Sequence, residues 1–323
     1  MKILIYSFND KIGDGLQKVT FIQTLKSLCK RSHITYTTSQ KSSLKNQLNP
    51  FVENCIDRFI EHNNINSSLF DLPKRNKIFN ELEYDLIIDL QKVVIRTLKL
   101  KKIKHKKFFS ASANFLFSDY KNIDKKKFKN VYIERFYFNI LEIIFERNII
   151  DIPNIKIPHF DISKLKIQKN VKKNIAIAPG AGDKIRRWPF KNYLEIAKIL
   201  RNKGYNVYFF LGPEEKYLLK QCNDNNFECP EWKNGKMITK DLSFIMNIAK
   251  KMCCLLANDG GTSWMFEFAG VKTLKIFGVT SAKKFSRPGY SKSIEIKDFN
   301  FKKLSEFSIK HYKPILFDFL NTI

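Results

Sequence analysis

The sequence predicts an α/β protein made of two Rossmann-like domains. Three observations carry that expectation. The chain has 323 residues, about twice what one hydrophobic core comfortably supports. Short, nearly continuous apolar runs alternate with amphipathic stretches, the pattern of parallel strands covered by helices on both faces. The alternation then restarts after an aperiodic stretch at 150–173 that holds Pro153 and Pro158. Hydrophobic residues make up 44% and aromatics 14%, enough apolar side chain for two cores and too much for a disordered chain.

In the first domain, residues 2–8 read as a strand. Ile12-Gly13-Asp14-Gly15 follows as a glycine-containing loop, opening a helix in which Leu16, Val19, Phe21, Ile22, Leu25 and Leu28 recur near helical spacing. Ile34–Thr38 and Tyr84–Leu90 are the next strands. An aromatic, Lys-rich stretch from Phe108 to Glu146 includes Lys125-Lys126-Lys127; it reads as a loop or lid followed by a helix over Tyr132–Phe145. The stretch 150–173 is the candidate linker.

The second array opens with a strand over Asn174–Ala178 and a helix from Pro189 to Lys203. Proline suits the first helical turn there, and Gly204 suits its stop. A strand at Tyr205–Leu211, helical segments at 214–221 and 241–251, and strands at Cys253–Ala257 and Thr273–Phe277 follow. The expected boundaries are 1–165 and 166–301, with a C-terminal helix in 302–323, over Lys302–Leu320, packing back on the first domain.

No apolar run reaches the roughly 20 residues that cross a bilayer, and the N-terminal run is too short for a signal peptide, so cytoplasmic residence is expected. Cys29, Cys55, Cys222, Cys229, Cys253 and Cys254 show no C-x-x-C or His/Cys spacing and read as reduced thiols. The five histidines, His33, His62, His105, His159 and His311, fall in no ligand spacing, so no metal is expected. The formal charge of +27, from 58 Lys and Arg against 31 Asp and Glu, draws polyanions such as nucleic acid, anionic head groups or phosphorylated sugars. Compositional bias toward Lys in solvated positions accounts for it equally well.

Ligands of open parallel sheets bind at the carboxyl ends of strands, and four strand-end loops stand out. In Ile12-Gly13-Asp14-Gly15, Asp14 suits either a proton acceptor for a hydroxyl or a helix cap. Asn258-Asp259-Gly260-Gly261-Thr262-Ser263, before a helix starting near Ser263, suits either a diphosphate or a tight turn. Gly180-Ala181-Gly182-Asp183-Lys184-Ile185-Arg186-Arg187 places three cations before a helix, where they fit a leaving diphosphate or plain solvent. In Leu211-Gly212-Pro213-Glu214-Glu215, either glutamate suits a ribose diol or an ordinary first helical turn. The sequence has no Asp-x-Asp motif, no G-x-x-x-x-G-K-[ST] loop, and no closing glycine after Gly261-Thr262-Ser263-Trp264-Met265, so metal-dependent transfer, P-loop ATPases and serine hydrolases are disfavoured.

Taken in order, these segments resemble glycosyltransferase family 9, the heptosyltransferases of lipopolysaccharide biosynthesis. Ile12-Gly13-Asp14 is similar to the family's Gly-Asp start, and Asp85-Leu86-Ile87-Ile88-Asp89-Leu90-Gln91 with Arg96 to its D-L-V-I-D-L-Q…R segment. Ala178-Pro179-Gly180-Ala181 through Trp188-Pro189 is similar to P-G-A…K-x-W-P, Asn258-Asp259-Gly260-Gly261 to N-D-S-G, and Phe277-Gly278-Val279-Thr280 with Arg287-Pro288 to F-G-P-T…P. The matches span residues 3–288.

The resemblance implies a GT-B fold with two Rossmann-like domains facing each other across a cleft, an N-terminal acceptor domain and a C-terminal nucleotide-sugar domain. It implies metal-independent, inverting transfer, typically from ADP-heptose, with no cofactor. Asp14 would be the general base. Lys184, Arg186, Arg187, Glu214, Glu215, Asp259, Gly260, Gly261, Thr262 and Ser263 would line the donor, and Gly13, Gln91 and Arg96 the acceptor. The partners would be an anionic lipid-linked saccharide and the inner face of the cytoplasmic membrane, with nucleic acid disfavoured. The chain departs from the family at Trp264, where a His is usual, at Thr262 for Pro, and at Arg186 for Lys. A non-catalytic binder of nucleotide sugar or polyanion is the rival reading.

Overall fold

The computed structural model describes residues 1–66, 68, 79 and 83–323. The chain divides into two units, Met1–Asn154 and Ile155–Ile323. The first contains, in order, β1 (Lys2–Ser7), α1 (Ile12–Leu28), β2 (His33–Thr38), α2 (Asn49–Val52), β3 (Arg58–Ile60), β4 (Glu83–Asp89), α3 (Val94–Leu100), β5 (Lys104–Ser110) and α4 (Ile133–Phe145). Its strands form one parallel sheet ordered β3-β2-β1-β4-β5. Ile3, Leu4 and Ile5 are fully buried, as expected for a central strand covered on both faces.

Helix α1 is covered on both faces. It packs on α4, with Phe21 against Tyr137 at 5.9 Å and Thr20 Oγ1 donating to the buried Glu134 at 3.1 Å. Its polar face is therefore buried too, including Gln17, Lys18 and Thr20.

The second unit contains β6 (Asn174–Ala178), α5 (Phe190–Asn202), β7 (Asn206–Phe209), α6 (Leu219–Asp224), β8 (Trp232–Lys233), β9 (Lys236–Met237), α7 (Leu242–Ala249), β10 (Cys254–Asn258), α8 (Gly261–Phe268), β11 (Lys272–Phe277), α9 (Ala282–Phe285), β12 (Ser291–Glu295) and α10 (Ile309–Leu320). Five of its strands form a parallel sheet ordered β12-β11-β10-β6-β7, and β8 and β9 make a small antiparallel hairpin. Pro189 stands at the N-cap of α5, and Gly204, in left-handed backbone at φ 83°, follows its end.

Several expectations are corrected. The stretch read as a linker belongs largely to the second unit: Phe160, Ile162, Leu165 and Ile167 pack against a core containing Phe244, Ile248 and Leu255, which moves the boundary from 165 to 154. The last helix covers only Ile309–Leu320. Tyr312, Leu316 and Phe319 project from one side of it at spacings of four and three into the core around Trp188 and Tyr193, so this helix belongs to the second unit's own core. The segment 214–221 divides into a 3-10 turn, Pro213–Leu218, and α6. Helix α8 begins at Gly261, two residues before the expected Ser263.

Candidate functional site

Each sheet has one point where the strand order reverses. In the first unit the chain leaves β1 toward β2 on one side while β4 lies on the other; in the second it leaves β6 toward β7 while β10 lies opposite. Loops diverge at such switch points and leave a crevice at the strand carboxyl ends. The predicted residues gather there: Gly13 and Asp14 follow β1, Gln91 and Arg96 follow β4, Lys184–Arg187 follow β6, and Asp259–Ser263 follow β10.

In the first unit Asp14 is exposed, in the first turn of α1, where a carboxylate complements the helix dipole. Lys11 occupies the N-cap position that the sequence left open for Asp14. The charge of Asp14 acts on Lys18 and on the Tyr137 phenol, raising both pKa values as a minor contribution. Half-buried Arg96 lays its guanidinium on the Phe8 ring at 3.5 Å, which sets it beside the exit of β1. Gln91 turns its N–H to Asp89 Oδ1 at 2.9 Å. Asp89 itself is sealed: Thr97 and Ser110 donate to Oδ2 at 2.6 and 2.8 Å, and burial pushes its carboxyl up to about 6 against those hydrogen bonds.

Beneath the loop leading into α1 lies a network that sequence reasoning missed. The buried Asp10 carboxylate accepts from Lys18 Nζ, Ser7 Oγ (2.8 Å), Tyr36 OH (2.9 Å) and Ser42 Oγ (3.0 Å). Burial alone would raise the Asp10 pKa, but the Lys18 ammonium and the hydroxyls outweigh it and hold the carboxyl below its ordinary range. Lys18 is raised because Asp10 outweighs its own desolvation.

In the second unit, Asn258 at the end of β10 ties the loops together. Its Oδ1 accepts from Trp188 N–H and Tyr193 OH, both at 3.0 Å, and its Nδ2 donates to Pro179 O at 2.7 Å. Trp188 is buried and donates Nε1–H to Phe307 O at 2.6 Å, so the Trp of the Arg-Arg-Trp-Pro run anchors the loop from below. Gly260 allows backbone to approach backbone: a Cβ there would lie 3.2 Å from Gly180 O and 3.4 Å from Ala181 Cα. Only backbone therefore separates the two loops that flank the switch point.

The charged groups then divide by role. Arg186 Nη1 lies 3.6 Å from Asp259 Oδ2, which also accepts from Thr280 Oγ1 at 2.8 Å. Arg186 is half-buried, and with Asp259 it stands beside the start of α8, whose first N–H groups have no intrahelical acceptor. Arg187 turns the other way, to Glu215 Oε1 at 3.1 Å, Glu214 Oε2 at 3.2 Å and Ala181 O at 2.8 Å. Glu215 is buried against Gly180, where a Cβ would meet its Cδ at 2.7 Å, whereas Glu214 and Lys184 are exposed. Burial raises the Glu215 pKa, with Arg187 opposing it. Arg187 and Glu215 thus clamp the β6 and β7 loops together. Behind them the buried Glu231 accepts from Leu211 N–H while Trp232 Nε1–H donates to Leu211 O at 2.8 Å; desolvation pushes the Glu231 carboxyl up to about 8. Among the described residues no group of three His, Cys, Asp or Glu side chains converges to hold a metal.

The family model described as glycosyltransferase family 9 (heptosyltransferase) matches residues 75–314. The chain belongs to glycosyltransferase family 9. Its fold is that of solved structures with two parallel-sheet α/β domains, the GT-B class. A family 9 glycosyl transferase from Veillonella parvula is 19% identical with a TM-score of 0.68, covering 100% of this chain and 98% of that one. The E. coli ADP-heptose lps heptosyltransferase II is 16% identical with a TM-score of 0.65, covering 100% and 99%. E. coli heptosyltransferase WaaC, solved with ADP-2-deoxy-2-fluoro heptose, is 12% identical with a TM-score of 0.63, covering 98% and 99%. A search of curated proteins finds no significant match.

Within this family 9 glycosyltransferase, Trp264, at the position where the resemblance places His, is a packing residue. It is 2% exposed and carries the Lys275 ammonium over its ring at 4.4 Å. Lys275 is wholly buried and paired with Glu267 at 2.9 Å; Arg287 stacks on Phe268 at 4.7 Å and donates to Glu267 O at 2.9 Å. The inner face of α8 thus rests on charges that the motif reading did not assign. A cavity of about 600 Å³ bounded by residues 159–169 and the end of α7 borders the opposite, amino end of the second sheet and has no part in this site.

Proposed function

We propose that this family 9 glycosyltransferase moves a sugar, a heptose by kinship, from an ADP-linked donor to a lipid-linked saccharide acceptor, with inversion and without a metal. The acceptor hydroxyl attacks the anomeric carbon from the face opposite the diphosphate. The new glycosidic C–O bond forms as the bond to the diphosphate breaks, and the hydroxyl proton passes to Asp14. The negative charge leaving with the nucleotide meets Arg186 and the N-terminal amides of α8 at Gly261 and Thr262. Gln91 and Arg96 hold the acceptor, while Glu214, Lys184 and Ser263 border the donor.

The observation that carries this reading is the Arg186–Asp259 pair at the start of α8. It sets a cation and free backbone donors at the switch point of the second sheet, where a diphosphate has both charge and hydrogen bonds to meet. The donor assignment is supported by WaaC, which was solved with an ADP-heptose analogue. The test is thermal stabilisation by nucleotides and nucleotide sugars at fixed salt, since a ligand that binds only the folded state raises its stability. A shift selective for ADP compounds supports the proposal. No shift with any nucleotide, beside a clear one with polyanions, overturns it.

Arg186→Ala is expected to weaken ADP binding about ten- to a hundredfold, the worth of one charge-assisted hydrogen bond of roughly 1.5–3 kcal/mol. Calorimetric titration checks it, and unchanged affinity removes Arg186 from the donor site. The buried Trp264 favours a second reading, a binder of nucleotide sugar that no longer transfers. Binding of the donor without release of ADP in the presence of acceptor would establish that reading.

A further inference from the structure

The loop after β7 is held from two sides by two glutamates of opposite character. Glu215, within the loop, is buried against Gly180 and has Arg187 as its counter-ion at 3.1 Å. Glu231 comes from outside the loop. Residues 227–231 run alongside β7: Glu228 is bridged to Tyr208, and its carbonyl accepts from Phe209 N–H at 2.9 Å. The Glu231 side chain is thereby brought level with the carboxyl end of the strand, where it accepts from Leu211 N–H. The next residue, Trp232, donates Nε1–H to Leu211 O at 2.8 Å. Both backbone polar groups of Leu211 are thus taken by side chains of one short segment.

That segment opens a hairpin too small to stand alone. β8 and β9 are two residues each, joined by Asn234-Gly235 in left-handed backbone at φ 49° and 70°, the tight reversal that paired strands favour. A two-stranded ribbon by itself is marginal in water. Ile238 N–H, just past β9, donates to Glu231 O at 2.9 Å, so Glu231 joins the hairpin through its backbone and the β7 loop through its side chain. From Leu211 the hold passes to Gly212, whose carbonyl accepts from Glu215 N–H at 3.0 Å and where a Cβ would lie 2.8 Å from Glu215 Oε2.

Glu231 differs in its chemistry from three other buried glutamates. Glu142, Glu215 and Glu267 are each paired with a cation, on Arg135, Arg187 and Lys275. Glu231 is 2% exposed, and its Oε2 is buried and has no hydrogen-bond partner among the described residues. The titratable groups around it offer no free positive charge nearby. They are the Cys229 thiol in contact with Cys222 of α6, Glu228 exposed on the same segment, Glu215 held by Arg187, and Lys233 and Lys236 in water on the hairpin. Enclosure without a counter-charge favours the neutral acid, in line with the rise of its pKa to about 8 on burial.

We propose that Glu231 is a positioning residue of the donor site: by holding Leu211 it locks the β7 loop to the β8–β9 hairpin and so sets where Glu214 stands. Its consequence for nucleotide rests on the donor reading above; its geometry rests on the Leu211 contact alone. Glu231 acts as the neutral acid. Losing the proton leaves an unpaired charge in the interior, which is relieved when the segment lets go of Leu211 and admits water. The locked form therefore keeps a proton that the released form, with an ordinary carboxyl near 4.5, has given up. The ratio of locked to released loop is full below about pH 4.5, falls about tenfold per unit as pH rises toward 8, and levels off above it.

ADP affinity is measured by calorimetry from pH 6 to 9 in the wild type, Glu231→Gln and Glu231→Ala. The glutamine keeps an acceptor for Leu211 N–H and cannot ionise, so comparing it with the wild type cancels the titration of ADP itself. Between pH 6 and 8 the wild type is expected to lose about tenfold to a hundredfold in affinity relative to Glu231→Gln, the larger figure being the full effect of two units. Glu231→Ala abandons Leu211 N–H at every pH and should bind ADP about tenfold more weakly than Glu231→Gln throughout. A side chain that only added stability would leave the wild-type-to-glutamine ratio flat. The proposal falls if that ratio is flat, or if Glu231→Ala binds ADP like the wild type at pH 6. If the wild type binds no nucleotide, the donor reading fails, and amide exchange at Leu211 and Ile238 decides the lock. Protection lost above pH 8 in the wild type and kept in Glu231→Gln at the same pH supports it; equal protection in the two overturns it.

Discussion

Asp14→Asn is expected to lower sugar transfer by about a hundred- to ten-thousandfold, the contribution of a positioned general base. The exchange keeps size and hydrogen-bonding shape, and it removes the negative charge together with the capacity to take a proton. Asp14 is exposed in the first turn of α1, so its neutralisation should leave folding close to the wild type. Nucleotide binding should also survive, because the donor loops follow β6 and β10 in the second unit, whereas Asp14 belongs to the first. Turnover by ADP release and affinity by calorimetry read the two properties separately. A variant with wild-type turnover takes the base role away from Asp14, and a variant that loses both turnover and nucleotide affinity gives Asp14 a structural role.

Lys18→Met should act through stability. It leaves the Asp10 carboxylate buried without its ammonium, and breaking one side of a buried pair typically destabilises by about 3–5 kcal/mol. Against a usual total of roughly 5–15 kcal/mol that is a large fraction, readable in a denaturant titration. Adding Asp10→Asn should recover part of the loss, because an amide oxygen still accepts from Ser7, Tyr36 and Ser42 while no charge remains buried. The acid limb gives an independent sign. The folded-state pKa of Asp10 is depressed, so its stabilisation is present above about pH 4, the unfolded value, and is lost as pH falls through the folded one. In the Lys18→Met protein burial is no longer opposed by an ammonium, and acid should then cease to unfold the protein through this group. An unchanged acid limb and unchanged stability together would show that the pair contributes nothing.

The central strands were legible because both faces are covered and every residue is apolar: Ile3–Ile5, Leu86–Ile88 and Leu255–Ala257 need no context. Of the edge strands, β7 was, but β3, β5 and β12 were not. β5 opens with Lys104-His105-Lys106-Lys107 and β12 reads Ser291-Lys292-Ser293, because an edge strand pairs on one side and tolerates solvated side chains. Among the site residues, the glycines and the Asn-Asp run announced themselves, since a tight backbone approach admits few alternatives. The buried cations did not. Lys18 and Lys275 sit in a helix and a strand where period and composition read them as ordinary solvated lysines; only the fold brings Asp10 and Glu267 to them. For the same reason the sequence could not divide Arg186 from Arg187, or Glu214 from Glu215. Neighbours in sequence, they diverge only in the fold: Arg186 turns to Asp259 and Arg187 to the two glutamates, of which Glu215 is buried against Gly180 while Glu214 stays exposed.

The packing of Trp264 constrains the routes by which this protein can change. Its ring face covers a lysine that has no access to water, and that lysine neutralises a glutamate equally enclosed. Reversion of position 264 alone to the family's histidine would strip the ammonium of its cover and open a void beside it, before any benefit to a ligand could be felt. Positions 264, 267 and 275 therefore behave as an epistatic set: neutral exchange of the salt pair must come first, and the histidine becomes reachable only afterwards.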